Sequence, residues 1–409
     1  MNHLYARSTT YLYLAMSTTV HRQGCTTTVK RRQECRLLLA LLLTCCGLAA
    51  AAAGRRSDAD AVADLARSLA RPPSTWTTAG GDPCSFEGIS CSSSGRVIAI
   101  DLAGMGLAGT LHPSLSSLTA LESLQLGGNA LSGAVPPLRA PSLTSLSLDG
   151  NAFTSLPKDF PLGMPALRHL SMDNLPLAPW PFPHAIAGCP SLRTFSASNA
   201  SVAGPFQAVA AIVIANLTSI RTLRLSRNAL TGVVPAALGK IASLREISLS
   251  NNFLQGPVPQ FAAGVAADVV DGNCFCLDEP GACNAQVSTL LQAAEGFGYP
   301  FYLARAWRGN DPCSGDWLGT VCDISGSVTM IYLQHAELSG TISPAIADLI
   351  DLERLVLAGN NLTGEIPESL TKLTKLELLD VTNNSLTGQL PKFKPSVFVL
   401  ADGNAFIGE

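Results

Sequence analysis

Charged residues are scarce in this 409-residue chain, at 14%, and neither sign dominates, since 27 lysines and arginines accompany 30 acidic residues. This balance argues against a nucleic-acid partner, which requires a clear basic excess. The sequence also lacks the His-Arg-Asp and Asp-Phe-Gly motifs of protein kinases and any paired nucleophile and base, so no catalytic residue is predicted. Its six histidines do not cluster with the cysteines, which argues against a zinc site. We therefore expect no metal, no cofactor and no enzymatic activity.

What the chain does have is leucine at regular intervals. The template LxxLxLxxNxLxGxIP fits repeats that start at residues 97, 121, 143, 167, 192, 220 and 244, and again at 328, 352 and 376. Each repeat of this kind is a short strand with a return segment that cannot bury its leucines alone, so stacked neighbours must share one core. The pattern predicts an α/β repeat solenoid made of leucine-rich repeats in two arrays.

Two similar cysteine-containing segments precede the two arrays. The first runs from Trp76 to Cys91 and the second from Trp307 to Cys322, and both contain Asp-Pro-Cys. Because a solenoid needs one cover at its start, a second cover in mid-chain indicates that the array is interrupted and begins again. This interpretation divides the chain into an N-terminal extension and signal peptide (1–53), an N-terminal disulfide cap (54–96), a first repeat array (97–275), a linker helix with a second disulfide cap (276–327) and a second repeat array (328–409).

An apolar run at residues 37–53 follows a basic stretch and ends in small residues, which is typical of a secretory signal. Its distance from residue 1 is unusual for a cleaved signal, so an uncleaved membrane anchor remains an alternative. No other segment is expected to cross a membrane. We expect the protein in the secretory pathway, at the cell surface or in the extracellular space, where disulfides persist.

Secretion favours disulfides over free thiols or a metal site for six of the cysteines. The predicted pairs are local: Cys84 with Cys91, Cys276 with Cys283, and Cys313 with Cys322. Cys189 occupies an apolar repeat position and is expected as a buried thiol, whereas Cys274 has no evident partner. Four Asn-x-Ser/Thr sequons also fit a secreted glycoprotein, with chance matching in Asn- and Ser-rich turns as the alternative. They lie at Asn199, Asn216, Asn361 and Asn383.

Strand residues that flank the inward leucines point outward, because side chains alternate along a strand, and these residues should line the concave face. We expect candidate partner contacts among them and in the proline-rich insertion around Trp180, whose exposed aromatics could anchor a partner. Ordinary solvated surface is the alternative for each position, and Trp180 could equally fill a gap in an irregular repeat. The candidates are Asp149, His169, Asp173, Trp180, Arg224, Arg227, Tyr332 and His335.

The order of these parts resembles that of one known family. The first array, the FCLDEPGAC turn, the helix ending in GYP, the WRGNDPCSGDWLGTVC cap and three further repeats are similar to the extracellular region of the plant transmembrane-kinase (TMK) receptor-like kinases. The resemblance covers roughly residues 57–409. It implies a plant-type superhelix and a cell-surface receptor in auxin-linked growth signalling, with a protein or peptide ligand or co-receptor as partner and an auxin-binding protein as one candidate.

Family members continue into a membrane helix and a cytoplasmic Ser/Thr kinase, whereas this sequence ends at Glu409. We therefore expect a non-catalytic recognition ectodomain, either as part of a longer receptor or as a soluble form that acts as a decoy. A soluble inhibitor of a cell-wall-degrading enzyme is the alternative from another class. The second cap disfavours it, because such inhibitors carry a single array.

Overall fold

Short strands at repeat intervals build the molecule, as the leucine pattern predicts. A computed structural model describes residues 57–76 and 81–404, all within the compact unit Ser57–Glu409. The signal peptide expected within residues 1–53 lies outside the described residues. The first cap and first array contain these strands: β1 (Ile89–Cys91), β2 (Val97–Asp101), β3 (Ala108–Gly109), β4 (Ser123–Gln125), β5 (Ala130–Ala134), β6 (Ser145–Ser147), β7 (Ala152–Ser155), β8 (His169–Ser171), β9 (Thr194–Ser196), β10 (Ala203–Pro205), β11 (Thr222–Arg224), β12 (Ala229–Val233), β13 (Glu246–Ser248), β14 (Phe253–Gly256), β15 (Ala266–Asp268) and β16 (Cys274–Phe275).

The second cap and second array add eight strands within the described residues. They are β17 (Thr320–Cys322), β18 (Val328–Tyr332), β19 (Ser339–Thr341), β20 (Arg354–Val356), β21 (Asn361–Gly364), β22 (Leu378–Asp380), β23 (Ser385–Leu386) and β24 (Phe398–Leu400). Two main sheets result, one of nine strands in the order β1-β2-β4-β6-β8-β9-β11-β13-β15 and one of five in the order β17-β18-β20-β22-β24. The main sheet therefore stops at β15 and a new one starts at β17, so the solenoid consists of two arrays.

Each main sheet is parallel except at its start, where the cap supplies an antiparallel strand. The second short strand of each repeat joins smaller sheets in the orders β3-β5-β7, β10-β12-β14-β16 and β19-β21-β23. Such strands follow from the Gly-x-Val/Ile-Pro ending of the repeats. In a leucine-rich repeat the main sheet lines the inside of the curve, so the strand residues that face away from the core form the concave face.

The core is a stack of apolar side chains, one layer per repeat. In the strands between the ends of each main sheet, one inward residue pairs in register with that of the next strand and is almost fully buried. In the first array these residues are Leu124, Leu146, Leu170, Phe195, Leu223 and Ile247. Burying a leucine stabilises the fold by about 1.5–3 kcal/mol, but only when the neighbouring layers are present.

Asparagines at one repeat position bond the turns of successive repeats to each other. Asn252, which is 2% exposed, donates from Nδ2 to the carbonyls of Leu225 and Leu249 and accepts at Oδ1 from the Leu230 amide. The same pattern recurs at Asn129, Asn151, Asn228, Asn360 and Asn384. Buried backbone groups must find partners, and these side chains provide them.

Four α-helices lie in the described residues: α1 (Asp58–Ser68), α2 (Phe206–Asn216), α3 (Ala285–Gly296) and α4 (Phe301–Ala306). The first begins with a capping box, in which Ser57 Oγ accepts from the Asp60 amide and the Asp60 carboxylate accepts from the Ser57 amide. The sequence predicts α3 from its apolar periodicity and α2 as a buried helix on the convex side. Short 3₁₀ helices occupy Pro83–Ser85, Pro113–Ser117, His184–Gly188, Ala236–Lys240, Pro344–Asp348 and Glu368–Lys372.

The two caps repeat one arrangement at the level of single atoms. In the first cap Trp76 Nε1 donates to the Glu87 carbonyl at 2.8 Å, and in the second Trp307 Nε1 donates to the Leu318 carbonyl at 2.9 Å. The residue after Glu87 and the residue after Leu318 are both glycines with positive φ. A Cβ at either position would lie 2.2–2.4 Å from a carbonyl oxygen in the first repeat of the array that follows, so only glycine fits. These glycines are Gly88 and Gly319. The caps are thus copies of one module.

Disulfides join the same three local pairs that the sequence predicts. The bonds link Cys84 with Cys91, Cys276 with Cys283, and Cys313 with Cys322, with Cα atoms 5.6, 5.7 and 5.6 Å apart. Cys189 and Cys274 are buried thiols. Burial raises the pKa of Cys189 to about 11, so this thiol stays protonated and unreactive at neutral pH.

The second cap is attached to the first array through the smaller sheet. Phe301 of α4 packs edge-on against Phe253 of β14, with ring centroids 4.5 Å apart. Thr231 of β12, itself buried, donates its hydroxyl to the Tyr299 carbonyl at 3.0 Å. The hydrophobic core also changes here, since one cluster ends at Phe275 and the next begins at Cys276. We propose the segment limits given above on this basis.

Candidate ligand-binding surface

Two of the predicted partner contacts, Asp149 and Asp173, bind the neighbouring repeat. One carboxylate oxygen of Asp149 accepts from Ser171 Oγ at 2.6 Å and from the Asp173 amide at 2.7 Å. Asp173 in turn accepts from Ser196 Oγ at 2.8 Å and from the Ser198 amide at 2.6 Å. The carboxylates therefore stabilise the sheet, and a ligand would have to share these oxygens with the protein.

Arg224 is also paired across strands. Its Nε and Nη2 atoms lie 2.6 and 2.8 Å from the two carboxylate oxygens of Glu246, a bidentate geometry that raises the pKa of the arginine. Burial raises the pKa of Asp173, while the bonds from Ser196 and Ser198 and the charge of Arg224 act in the opposite direction. The centre of this face is thus a network in which the charged side chains are hydrogen-bonded within the protein.

His169 and Arg227 are the predicted contacts in the first array whose side chains remain open to solvent. His169 Nδ1 lies 3.2 Å from Thr194 Oγ1, and its ring is exposed. Arg227 has a left-handed φ of 56°, and its amide donates to the Ser250 carbonyl. The guanidinium of Arg227 enters no ion pair within the described part of the chain.

Trp180 is held by the fold and is only partly exposed. Its Nε1 donates to the Ala200 carbonyl at 2.6 Å, and its backbone forms a bridge with Val202. Leu175 and Ala200 occupy the positions that hold asparagine in most repeats. The indole bonds the Ala200 carbonyl and not the carbonyls that the repeat asparagines contact, so it holds this irregular stretch to the next repeat without restoring the asparagine bonds. Phe182 of the same insertion is 4% exposed. The structure favours the gap-filling alternative, although a cleft of about 420 Å³ remains beside Trp180.

The concave face of the second array differs from that of the first. Strand register places its outward residues in two rows that cross β18, β20, β22 and β24. Both rows are mainly apolar, and each holds one charged residue. The first row consists of Met330, Arg354, Leu378 and Phe398, and the second of Tyr332, Val356, Asp380 and Leu400. Tyr332 is 51% exposed and Phe398 is 74% exposed.

Tyr332 and His335, two predicted contacts, lie together in a cleft of about 450 Å³ at the start of this face. Tyr332 donates its hydroxyl to Gln334 Oε1 at 2.6 Å, and Gln334 Nε2 lies 3.4 Å from His335 Nε2. Leu318 of the second cap also lines the cleft. The sequence predicts contacts at this end of the face, at Tyr332 and His335, and none at the other end, where Phe398 lies. The apolar residues on both sides of inward Val399 were the available signal.

No group of three or more His, Cys, Asp and Glu side chains suited to a metal ion occurs in residues 57–76 and 81–404. None of the helices in the same part of the chain has the length and apolarity that crossing a bilayer requires. The chemistry that this surface can supply is recognition by apolar contact and hydrogen bonding.

The parallel main sheets, the second short strands, the asparagine bonds and the disulfide caps define a leucine-rich-repeat solenoid of the plant type. Comparison with known proteins agrees. The leucine rich repeat N-terminal domain family matches residues 56–92 and 283–323, so it is found at both caps. The leucine rich repeat family matches residues 219–241 and 351–373, one segment in each array.

Similar curated proteins are plant receptor kinases. The chain is 47% identical over 422 residues to the receptor protein kinase WSS1 of Oryza sativa subsp. japonica, covering 86% of this chain and 46% of that protein. It is 35% identical to the receptor-like kinase TMK4 of Arabidopsis thaliana (74% and 40% covered) and 33% identical to TMK2 of the same plant (71% and 41% covered). The chain spans less than half the length of these relatives. These matches support the interpretation of the chain as the leucine-rich-repeat ectodomain of a plant receptor-like kinase.

Solved structures were compared as well. The crystal structure of PEPR1-AtPEP1 aligns with 84% of this chain and 51% of its own, at 24% identity and a TM-score of 0.46. The ectodomain of GASSHO1/SCHENGEN3 from Arabidopsis thaliana, in complex with CASPARIAN STRIP INTEGRITY FACTOR 2, aligns with 81% of this chain and 45% of its own, at 23% identity and a TM-score of 0.39.

Proposed function

We propose that this chain is the non-catalytic recognition region of a plant receptor-like kinase and binds a protein or peptide outside the cell. The similarity to receptor kinases supports the receptor role. The observation that carries the binding role is the apolar concave face of the second array, with Tyr332 and Phe398 exposed at its two ends. Exposed aromatic side chains are typical of protein interaction sites.

The location of the ligand follows from the contrast between the two arrays. In the first array the carboxylates and Arg224 are bonded within the protein, so a partner gains little by contacting them. In the second array Tyr332, Leu378 and Phe398 offer apolar area, while Arg354 and Asp380 supply one charge of each sign. An extended peptide crossing the strands would bury the aromatics and use the charges for orientation.

The test is selection of binders from a displayed library of peptides against the purified secreted chain, followed by calorimetry on the enriched peptides. Tyr332→Ala and Phe398→Ala should each weaken binding about tenfold or more, since truncating an aromatic anchor commonly costs more than 1 kcal/mol. The control is Ile350→Ala, which removes an apolar side chain that is 71% exposed and lies between strands. Binders that tolerate both aromatic changes would contradict the site.

We further propose a role in auxin-linked growth signalling, on the strength of the resemblance to the TMK kinases. An auxin-binding protein is the candidate partner. The purified chain should bind such a protein on a sensor surface, and the affinity should change when auxin is added. Equal binding by a chain that carries Tyr332→Ala and Phe398→Ala would place this partner elsewhere on the molecule.

A further inference from the structure

Four arginines occupy one position in four successive repeats of the first array. They are Arg168, Arg193, Arg221 and Arg245, and each comes directly before a main-sheet strand. The amide of Arg193 donates to the carbonyl of Arg168 at 2.8 Å, and the next two steps repeat this bond at 2.7 and 2.8 Å. The residues are therefore stacked along the rim where the strands begin. We call them the arginine ladder.

The positive charge of the ladder is not neutralised inside the protein. All four residues are exposed, and none forms an ion pair within residues 57–76 and 81–404. Adjacent strands lie about 4.8 Å apart, and like charges on neighbouring strands are destabilising. The ladder is not part of a generally basic protein, because the whole chain has a formal net charge of −3.

The second array shows that the fold does not need arginine at this position. The equivalent residues there are Thr329, Glu353 and Glu377, joined by the same amide-to-carbonyl bonds. One of these carboxylates has a cation beside it, since Arg354 Nη2 lies 3.9 Å from Glu377 Oε2. Along this rim, one array thus carries stacked cations and the other carries anions with a cation beside them. Such a difference points to a ligand of the first array.

The spacing of the ladder identifies the kind of anion. A matching ligand must present a negative group at intervals close to the strand separation of about 4.8 Å. An extended acidic peptide advances about 3.3 Å per residue and places same-face side chains about 6.4–6.8 Å apart, so neither spacing matches the ladder. A linear polyuronate carries one carboxylate on every sugar, and each sugar advances the chain by close to one strand separation. Its successive carboxylates turn about the chain axis, so the long arginine side chains must reach them from one side. Arginine binds carboxylates through paired hydrogen bonds, which suits this ligand.

We propose that the arginine ladder binds a linear polyuronate, with successive carboxylates on Arg168, Arg193, Arg221 and Arg245. The site is separate from the apolar face of the second array. The polyuronate proposal rests on the proposed function only for the extracellular location of the chain. Binding of the polyuronate in solution does not require the peptide ligand. Because the guanidinium groups are exposed, the affinity should fall as salt is added.

The experiment measures binding of a de-esterified galacturonate oligomer, long enough to span four strands, to the purified secreted chain. Arg193→Gln combined with Arg221→Gln should weaken binding about five- to tenfold, as expected for two exposed ion pairs. The Lys versions of the same changes should keep most of the affinity. The matched control, Arg71→Gln with Arg139→Gln, removes two exposed arginines outside the ladder and should leave binding unchanged.

Three results would overturn the proposal. One is equal loss in the ladder and control variants, which would indicate a general charge effect. Another is equal binding of the fully methyl-esterified oligomer, which lacks the negative groups. The third is tighter binding of a poly-glutamate peptide, which would assign the ladder to an acidic protein segment. Thermal unfolding of every variant, measured alongside, separates a binding loss from a folding loss.

Discussion

Gln255 of the first array donates from Nε2 to the main-chain carbonyl of Trp307 in the second cap, at 2.8 Å and out of contact with solvent. Gln255 follows Leu254 of one hydrophobic cluster, and Trp307 belongs to the other, so the bond joins the two halves of the molecule. Trp307 also supports its own cap, because its indole donates to the Leu318 carbonyl and stacks on Trp317. The first array therefore helps to hold the second cap in place.

Replacing Gln255 by leucine should destabilise the protein by about 1 kcal/mol, because the Trp307 carbonyl loses its partner. Removal of Gln255 Oε1, which is buried without a partner among the described residues, offsets part of that loss. We expect urea unfolding to lose cooperativity, with the second array responding first. The matched control is Gln125→Leu, at a half-buried glutamine whose amide donates only to the hydroxyls of Ser123 and Ser145. This change should cost about 0.5 kcal/mol or less. Equal losses for both variants would mean that the junction bond has no special role.

The adjacent residues Asn360 and Asn361 provide a direct test of the asparagine bonds. Asn360 donates to the carbonyls of Leu333 and Leu357 and accepts from the Ala336 and Leu338 amides. Asn360→Ala removes all four bonds and should cost about 2–3 kcal/mol. Asn361 is exposed, so Asn361→Ala should stay within about 0.5 kcal/mol.

Both asparagine variants should be made in a bacterial host, so that glycosylation of Asn361 does not contribute. Chemical denaturation followed by circular dichroism gives the two free energies of unfolding. A cost below about 1 kcal/mol for Asn360→Ala would show that water replaces the lost bonds.

Asp173 and Asp323 should affect stability with opposite dependence on pH. Burial raises the pKa of Asp173 above its ordinary value of 3.8, so the folded state holds the proton more tightly than the unfolded chain. The stability from this proton is complete below the unfolded pKa and is lost as the pH rises through the folded pKa. Asp173→Asn should therefore gain stability relative to the wild-type protein as the pH rises through this window.

Asp323 behaves in the reverse sense, because bonds from the Ser325 hydroxyl and the Ser327 and Ser325 amides lower its pKa. Its contribution is present above the unfolded pKa and disappears as the pH falls through the folded pKa. Asp323→Asn should be less stable than the wild-type protein at neutral pH and equal to it in acid. Urea midpoints between about pH 3 and pH 7 measure both variants. Parallel curves would contradict the prediction.

The four sequons differ in the accessibility of their asparagines. Asn361 and Asn383 are exposed beside the half-buried Asn360 and the buried Asn384, whereas Asn216 donates its side-chain amide to the Ile212 carbonyl at the end of α2. We expect glycans at Asn361 and Asn383 and little or none at Asn216 when the chain is secreted from plant cells. Mass spectrometry of glycopeptides measures the occupancy. Asn199, exposed but bonded to Asn174 Oδ1, should be intermediate.

The repeat architecture was largely readable from the sequence, because leucine spacing reports burial directly. The same holds for the cap cysteines and for α3, predicted from residues 287–297 and found at Ala285–Gly296. A local pattern is sufficient in each case, since the residues that interact are close in the chain or occupy equivalent repeat positions.

The candidate surface was harder to predict, because it depends on which side chains are already bonded. Asp149 and Asp173 look available in sequence, but serines on the next strand bind them. Trp180 looks like an exposed anchor, but its indole is bonded to the Ala200 carbonyl and is only partly exposed. The ladder arginines recur visibly in sequence as Leu/Ile-Arg, yet only the structure shows that none of them forms an ion pair within residues 57–76 and 81–404.

The second cap has a consequence for how the molecule assembles during synthesis. Cooperativity in a stacked array passes only between neighbours, and among the described residues no strand pairing connects the nine-stranded sheet to the five-stranded sheet. The later half has its own template, the antiparallel β17–β18 pair. During synthesis the first array can therefore fold before the second array nucleates. Fraying that begins in the last repeats of the second array should stop at the second cap.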